Sequence, residues 1–188
     1  MDGKAVEERT EATLKMAKVT GDSVKEVSNQ LTSIWNNFSN GSDNLEYYVD
    51  VITALGAATA SSTDEIAAGL EKFASTAETV GLSYEYATAA LATVTSETRQ
   101  SAEVVGTAFK TLFSRIQDLE LGETLEDGTT LGTYSEGLAK VGINIKDSNG
   151  NLKEMDDILD EMGAKWKTLS KDQQVSLAQT VGGVRQYT

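Results

Sequence analysis

The sequence predicts a mainly α-helical protein, a multi-helix array or bundle with one small β-hairpin near residues 143–153. Apolar residues recur at spacings of three and four through most of the chain, the period of one helix face. Several of these stripes open with a hydroxyl residue and an acid in the first turn, the chemistry that satisfies free amides at a helix start. Strand-like alternation is confined to Ile143-Asn144-Ile145, followed by Asn149-Gly150, the dipeptide favoured in type I′ turns, with Leu152 on the return.

Residues 1–42 read as an N-terminal helical segment continuing from upstream. The first part is charge-rich (Glu7, Glu8, Arg9, Glu11, Lys15, Lys18) and offers only Val6, Leu14 and Met16 as larger apolar groups, as a continuing helix or a frayed end would. From Val24 a stripe of Val27, Leu31, Ile34, Trp35 and Phe38 follows, and Asn40-Gly41-Ser42 stops it. Residues 43–117 form a helical core array. Its first helix carries Leu45, Tyr48, Val49, Ile52 and Leu55 and fades into the small residues Gly56 to Ser62.

Three variations on one theme come next. Ser62-Thr63-Asp64-Glu65 opens a stripe of Ile66, Leu70, Phe73, Ala74 and Ala77. Ser83-Tyr84-Glu85 opens Ala87, Leu91 and Val94, and Ser101-Ala102-Glu103 opens Val105, Ala108, Phe109, Leu112, Phe113 and Ile116. Glu65, Glu85 and Glu103 lie 20 and 18 residues apart, as in a short array whose helices share apolar faces. Gly81 is placed to end the first of these helices in a left-handed cap.

Residues 118–133 have no period and read as an acidic, glycine-containing loop. Residues 134–188 hold a short helix from Tyr134 to Val141, the hairpin and two further helices. The first carries Met155, Ile158, Leu159, Met162 and Trp166, and the second follows the capping-box sequence Ser170-Lys171-Asp172-Gln173 and is interrupted at Gly182-Gly183. The aromatics Trp35, Phe38, Phe73, Phe109, Phe113 and Trp166 all fall on apolar stripes and are expected in the core.

Composition narrows the chemistry. With no His and no Cys, the chain has no imidazole or thiol for triads, zinc sites or disulfides. Sixteen basic against 29 acidic residues give a net charge of −13, a field that repels nucleic acid, so direct nucleic-acid binding is not expected. The uncharged stretch of largely small residues from Val51 to Thr63 is 13 residues, short of the ~20 a bilayer-spanning helix needs, so no membrane segment is expected. P-loop, dinucleotide-binding, nucleophile-elbow and Ser-x-x-Lys patterns are absent from the sequence. Asp147-Ser148-Asn149-Gly150-Asn151 resembles the start of a calcium loop, but the glycine falls at position four and Ile158 at position twelve, so a plain turn is expected. The acids Glu154, Asp156, Asp157, Asp160 and Glu161 offer carboxylate pairs for glycoside hydrolysis, against which stands the simpler reading of a solvated helix face. No catalytic, cofactor-binding or metal-ligating residue is expected, and no cofactor.

From Leu45 to Arg185 the sequence resembles the core region of phage tail tape measure proteins. The residues that carry this are Ala54-Leu55-Gly56-Ala57-Ala58, Gly81-Leu82-Ser83 with Tyr86-Ala87, Ala90 to Val94, Glu97 to Ala102, Gly106 to Phe113, the Asp147 to Asn151 turn, and Ala178 to Gln186, in that order. The resemblance implies a structural, non-enzymatic protein that sets tail length, assembles with chaperones while the tube polymerises around it, and leaves through the tube during infection. It implies the tail tube protein, tail assembly chaperones and other tail proteins as partners, leaves a homo-oligomer open, and places the protein in the tail lumen of the virion after assembly in the host bacterial cytoplasm. Passage through a narrow tube would favour a module that unfolds easily, and the small-residue stretches Gly56-Ala57-Ala58 and Ala87 to Ala92 are read as interfaces burying modest area. Residues 1–40 match no pattern of the family, and its helical pattern would continue past Tyr187-Thr188, so a fragment of a much longer chain is expected. A generic cytoplasmic helical protein–protein interaction domain is the alternative, and an acidic glycoside hydrolase a third reading.

Overall fold

The computed structural model describes residues 3–38 and 44–183. Within them run nine helices: α1 Gly3–Thr20, α2 Val24–Phe38, α3 Leu45–Ala58, α4 Thr63–Thr79, α5 Tyr84–Thr98, α6 Ala102–Glu120, α7 Leu131–Ala139, α8 Met155–Trp166 and α9 Lys171–Gly182. The helix stop expected at Asn40-Gly41-Ser42 lies outside the described residues, as does Val184-Arg185-Gln186. The chain divides into two units, one of residues 1–78 and 83–110, the other of residues 79–82 and 111–188.

In the first unit α1 packs on α2 and α3, and α3 on α5. Val27, Leu31, Ile34 and Trp35 of α2 and Ile66, Leu70, Phe73, Ala74 and Ala77 of α4 are buried along the expected stripes. Each fully buried large apolar side chain contributes roughly 1.5–3 kcal/mol of transfer free energy. The buried face of α1 is instead Ala12, Thr13 and Met16; Val6, Leu14 and, at the head of α2, Val24 are about half exposed. A helix that meets its neighbours along one narrow line has no use for every apolar residue it carries.

Helices α4 and α6 approach each other backbone to backbone at two glycines. A Cβ on Gly106 would overlap the Gly69 carbonyl oxygen, and one on Gly69 would stand 2.7 Å from both the Ala102 carbonyl oxygen and Leu91 Cδ2. The two backbones therefore touch, with Leu91 of α5 closing the contact. The alanines proposed as interfaces divide: Ala87 and Ala92 are buried, but Ala57 and Ala58 face solvent and only Gly56 lies at a contact, where a Cβ would meet Thr63 Oγ1 at 2.6 Å. Ala108 is likewise exposed rather than part of its stripe.

A ring cluster of Phe38, Tyr47, Tyr48 and Tyr84 has centroid separations between 4.7 and 6.4 Å. Tyr84 donates to the Tyr48 carbonyl at 2.6 Å, and its burial pushes the phenol well above its ordinary pKa.

In the second unit α7 packs on α9, and Gly137 brings the backbone so close to Thr180 that a Cβ would be 2.7 Å from Cγ2. Tyr134, Leu138, Ile143, Ile145, Met155, Ile158, Leu177 and Val181 are buried there. Trp166, expected in the core, is 42% exposed at the end of α8.

The expected β-hairpin is not formed, and no strand occurs among the described residues. The alternation was a true burial signal, since Ile143 and Ile145 are buried and Asn144 exposed, but pairing stops at one antiparallel bridge, Lys146 with Leu152. A longer ladder would have to run away from the turn, where the Lys153 amide still donates to the Ile145 carbonyl at 2.9 Å but α8 begins at Met155. At the turn itself Asp147 Oδ1 accepts the amides of Asn149 and Asn151 at 2.8 and 2.9 Å. Only Lys153 and Glu154 then separate the bridge from α8.

Candidate functional site

The helix starts repeated in the sequence converge in part. The N-terminal ends of α2, α4 and α6 border a cleft of about 300 Å³ in the first unit, lined by Asp22, Glu26, Asp64, Glu65 and Glu103. Each helix start leaves amides unpaired and carries positive dipole charge, which nearby carboxylates offset. Glu26 accepts from the Ser23 hydroxyl at 2.6 Å and from its amide, and these bonds hold its carboxyl below the usual range. Glu65 accepts the Ser62 amide at 3.0 Å, and Glu103 pairs with Lys72 at 3.1 Å. Gln30 Oε1 lies buried without a hydrogen-bond partner beside these acids. The third acid of the series, Glu85, lies apart and accepts from the Tyr47 hydroxyl, which raises the Tyr47 pKa. The three acids thus do three different jobs: Glu65, three residues after Ser62, caps its amide, while Glu85 and Glu103, two residues after Ser83 and Ser101, serve as a phenol acceptor and an ion-pair partner.

A second depression of about 230 Å³ runs between α1 and α2, where the Arg9 guanidinium stands 5.4 Å from the Trp35 ring centroid. At exposed sites such a cation–π contact contributes about 0.5–1 kcal/mol.

The acids weighed for glycoside hydrolysis sit on and before α8. Asp156 and Asp157 occupy its first turn, where they complement the dipole, and Glu161 pairs with Lys153, which draws its carboxyl below the ordinary range. Glu154 faces Gly81, where a Cβ would stand 2.8 Å from Oε2. Gly81, at φ +74°, is the left-handed residue following α4 that the sequence placed there. The calcium-like turn keeps its main ligand candidate engaged with the chain itself: the amide of Asn151, then that of Asn149, hold the Asp147 carboxyl low. No group of three or more Asp or Glu among the described residues is arranged to hold a metal ion. No helix among them is long and apolar enough to cross a membrane.

Sequence reasoning did not single out Gly69 or the Gly69–Gly106 contact. The available signal was a glycine inside an otherwise helical stripe, which costs about 1 kcal/mol relative to alanine and so asks for a packing reason.

The described residues thus define an α-helical scaffold in which Glu26, Glu65, Glu103, Arg115, Asp147 and Glu161 are engaged in helix starts, turns and ion pairs. The chain belongs to the phage-related minor tail protein family, whose profile matches residues 1–183. That match begins at the first residue and so corrects the expectation that residues 1–40 stand outside the family pattern. The chain is also similar to the probable tape measure protein of Escherichia phage P2, with 26% identity over 184 residues, 97% of this chain. It spans about a fifth (21%) of that relative's length. No solved structure matches it.

Proposed function

We propose that this chain is a structural, non-enzymatic segment of a tail tape measure protein. In that reading it lies in the tail lumen, takes part in tail assembly and length determination, and meets the tube protein and the assembly chaperones. The observation that carries the proposal is the alignment of nearly the whole chain, 97% of it, with a protein named as a probable tape measure. The engagement of the acids in helix starts and ion pairs agrees with a scaffold role. A fully helical, fully extended chain of 188 residues would reach about 280 Å at ~1.5 Å per residue. Here α1, α2 and α3 pack against one another within one unit. We therefore assign the segment to a folded core, with the length-setting stretch elsewhere in a longer parent chain.

The test is tail length by electron microscopy for a phage or prophage whose parent chain carries an in-frame deletion of about 60 residues outside this segment. Shortening near 90 Å is expected at ~1.5 Å per helical residue. Tails of unchanged length would overturn the tape measure reading and favour a helical interaction domain.

A further inference from the structure

We propose that Arg115 is a clasp that makes the 121–130 loop and the C-terminal end of α9 open and close together. Arg115 projects from α6 and is largely covered, its side chain 15% exposed. Nη2 bonds Asp127 Oδ2 at 2.8 Å and Thr129 Oγ1 at 3.0 Å, so one guanidinium holds two residues of the loop. The loop is also closed on itself, with the Thr129 amide on Asp127 Oδ1 at 3.1 Å and the Leu125 amide on the Thr129 carbonyl at 2.9 Å. It therefore moves as a piece, and α7 starts directly after it from the Thr130–Thr133 capping box.

The other side of the same guanidinium packs on Gly183, the C-cap of α9. A Cβ there would lie 3.1 Å from Nη1, 3.2 Å from Cζ and 3.5 Å from Asp127 Oδ2. Gly183 also has φ +80°. Gly183, which the sequence offers only as part of the helix interruption Gly182-Gly183, thus supplies the flat surface against which the clasp closes. Two segments more than fifty residues apart in sequence share one cation, and disturbing either contact disturbs the other.

Hydrogen exchange on the intact chain tests this. Arg115→Met keeps the apolar stem and removes the donors, and it is expected to speed exchange at Leu125, Gly128 and Gly183 by about tenfold or more, with α8 amides unchanged. The decisive variant is Gly183→Ala, made on α9: its methyl presses on the guanidinium, so the Leu125 and Gly128 amides should speed with it. Acceleration confined to the end of α9 in Gly183→Ala, with the loop at its original rate, would overturn the coupling. Uniform acceleration across α7, α8 and α9 in Arg115→Met would overturn it too, since the residue would then hold the whole unit rather than two segments.

Discussion

The Gly69–Gly106 crossing and the loop-rich stretch from Gly122 to Lys153 hold together by opposite means. At the crossing two helix backbones touch, and Ala102 and Leu91 fill what space remains. The order there is steric and carries no charge at the point of contact. In the loops it comes from charged side chains: Arg115 bonds the Asp127 carboxylate and the Thr129 hydroxyl, and Asp147 accepts the amides of its own turn. The first arrangement answers to side-chain volume and is indifferent to pH; the second answers to charge and tolerates added bulk wherever nothing stands close. At Gly122, Gly128 and Gly150 nothing stands where a Cβ would go, and it is their positive φ alone that opposes a side chain there.

Enlarging the crossing gives the largest effect. Gly106→Ala should gain up to about 1 kcal/mol in helix propensity. The gain is outweighed because the new methyl meets the Gly69 carbonyl, a backbone atom that cannot rotate away. Overpacking costs typically ~1–3 kcal/mol, and Gly106→Leu should reach or exceed the upper end. Thermal unfolding should show both variants below the parent, with leucine lower. A more stable Gly106→Ala would mean that the two helices are free to separate.

The capping box that starts α9 comes next. Ser170 Oγ accepts the Gln173 amide at 3.3 Å, and Gln173 Oε1 accepts the Ser170 amide at 3.0 Å. Removing the hydroxyl in Ser170→Ala should cost about 1 kcal/mol in denaturant unfolding. Helix starts depend on local partners, so this effect should be equal in low and high salt.

The charge-held turn should reveal itself by titration. The native Asp147 carboxyl lies below its ordinary value of 3.8, chiefly through the Asn151 amide. A depressed native pKa stabilises the fold above the unfolded value, and that contribution is lost as pH falls through the native one. The Asn149 and Asn151 amide resonances should therefore shift together with a midpoint below 3.8, while those of Gly69 and Gly106 stay flat over the same range. A midpoint at or above 3.8 would show that the carboxylate is not held by the turn.

The same contrast decides what could be read from sequence. The α4 stripe was legible in full because Ile66, Leu70, Phe73, Ala74 and Ala77 all face one way and are all buried. The caps at Ser83 and Ser170 were legible because their partners lie three residues ahead. The Gly69–Gly106 contact was not, since a glycine does not announce which helix it will meet 37 positions later. The expected hairpin failed for a local reason: Asn149-Gly150 does turn the chain, but α8 begins at Met155, three residues after the bridge at Leu152, and leaves no return strand to pair. Trp166 and Val24 show the remaining limit, because helical spacing marks a face without saying how far along the helix a neighbour extends. The absence of His and Cys was equally plain in the sequence, while the actual duties of Glu26, Glu65 and Glu103 needed the convergence of three helix starts.

The smallest effect belongs to the exposed counterpart of the Arg115 clasp. Lys15 of α1 reaches Glu46 at 2.5 Å and Asp50 at 2.9 Å on α3, and the hydrogen bonds to Glu46 and then Asp50 raise its pKa. Its side chain is 46% exposed, so water and salt screen both pairs and a flexible stem must be ordered to make them. Lys15→Met should leave the thermal midpoint within about 2 °C of the parent, a span typical of surface changes. Raising the ionic strength should narrow even that difference. In Arg115→Met the loss of protection should persist in high salt, because a covered guanidinium is poorly reached by counterions. If the two variants respond to salt alike, burial is not what separates them, and the charge-held loops owe their order to the turns alone.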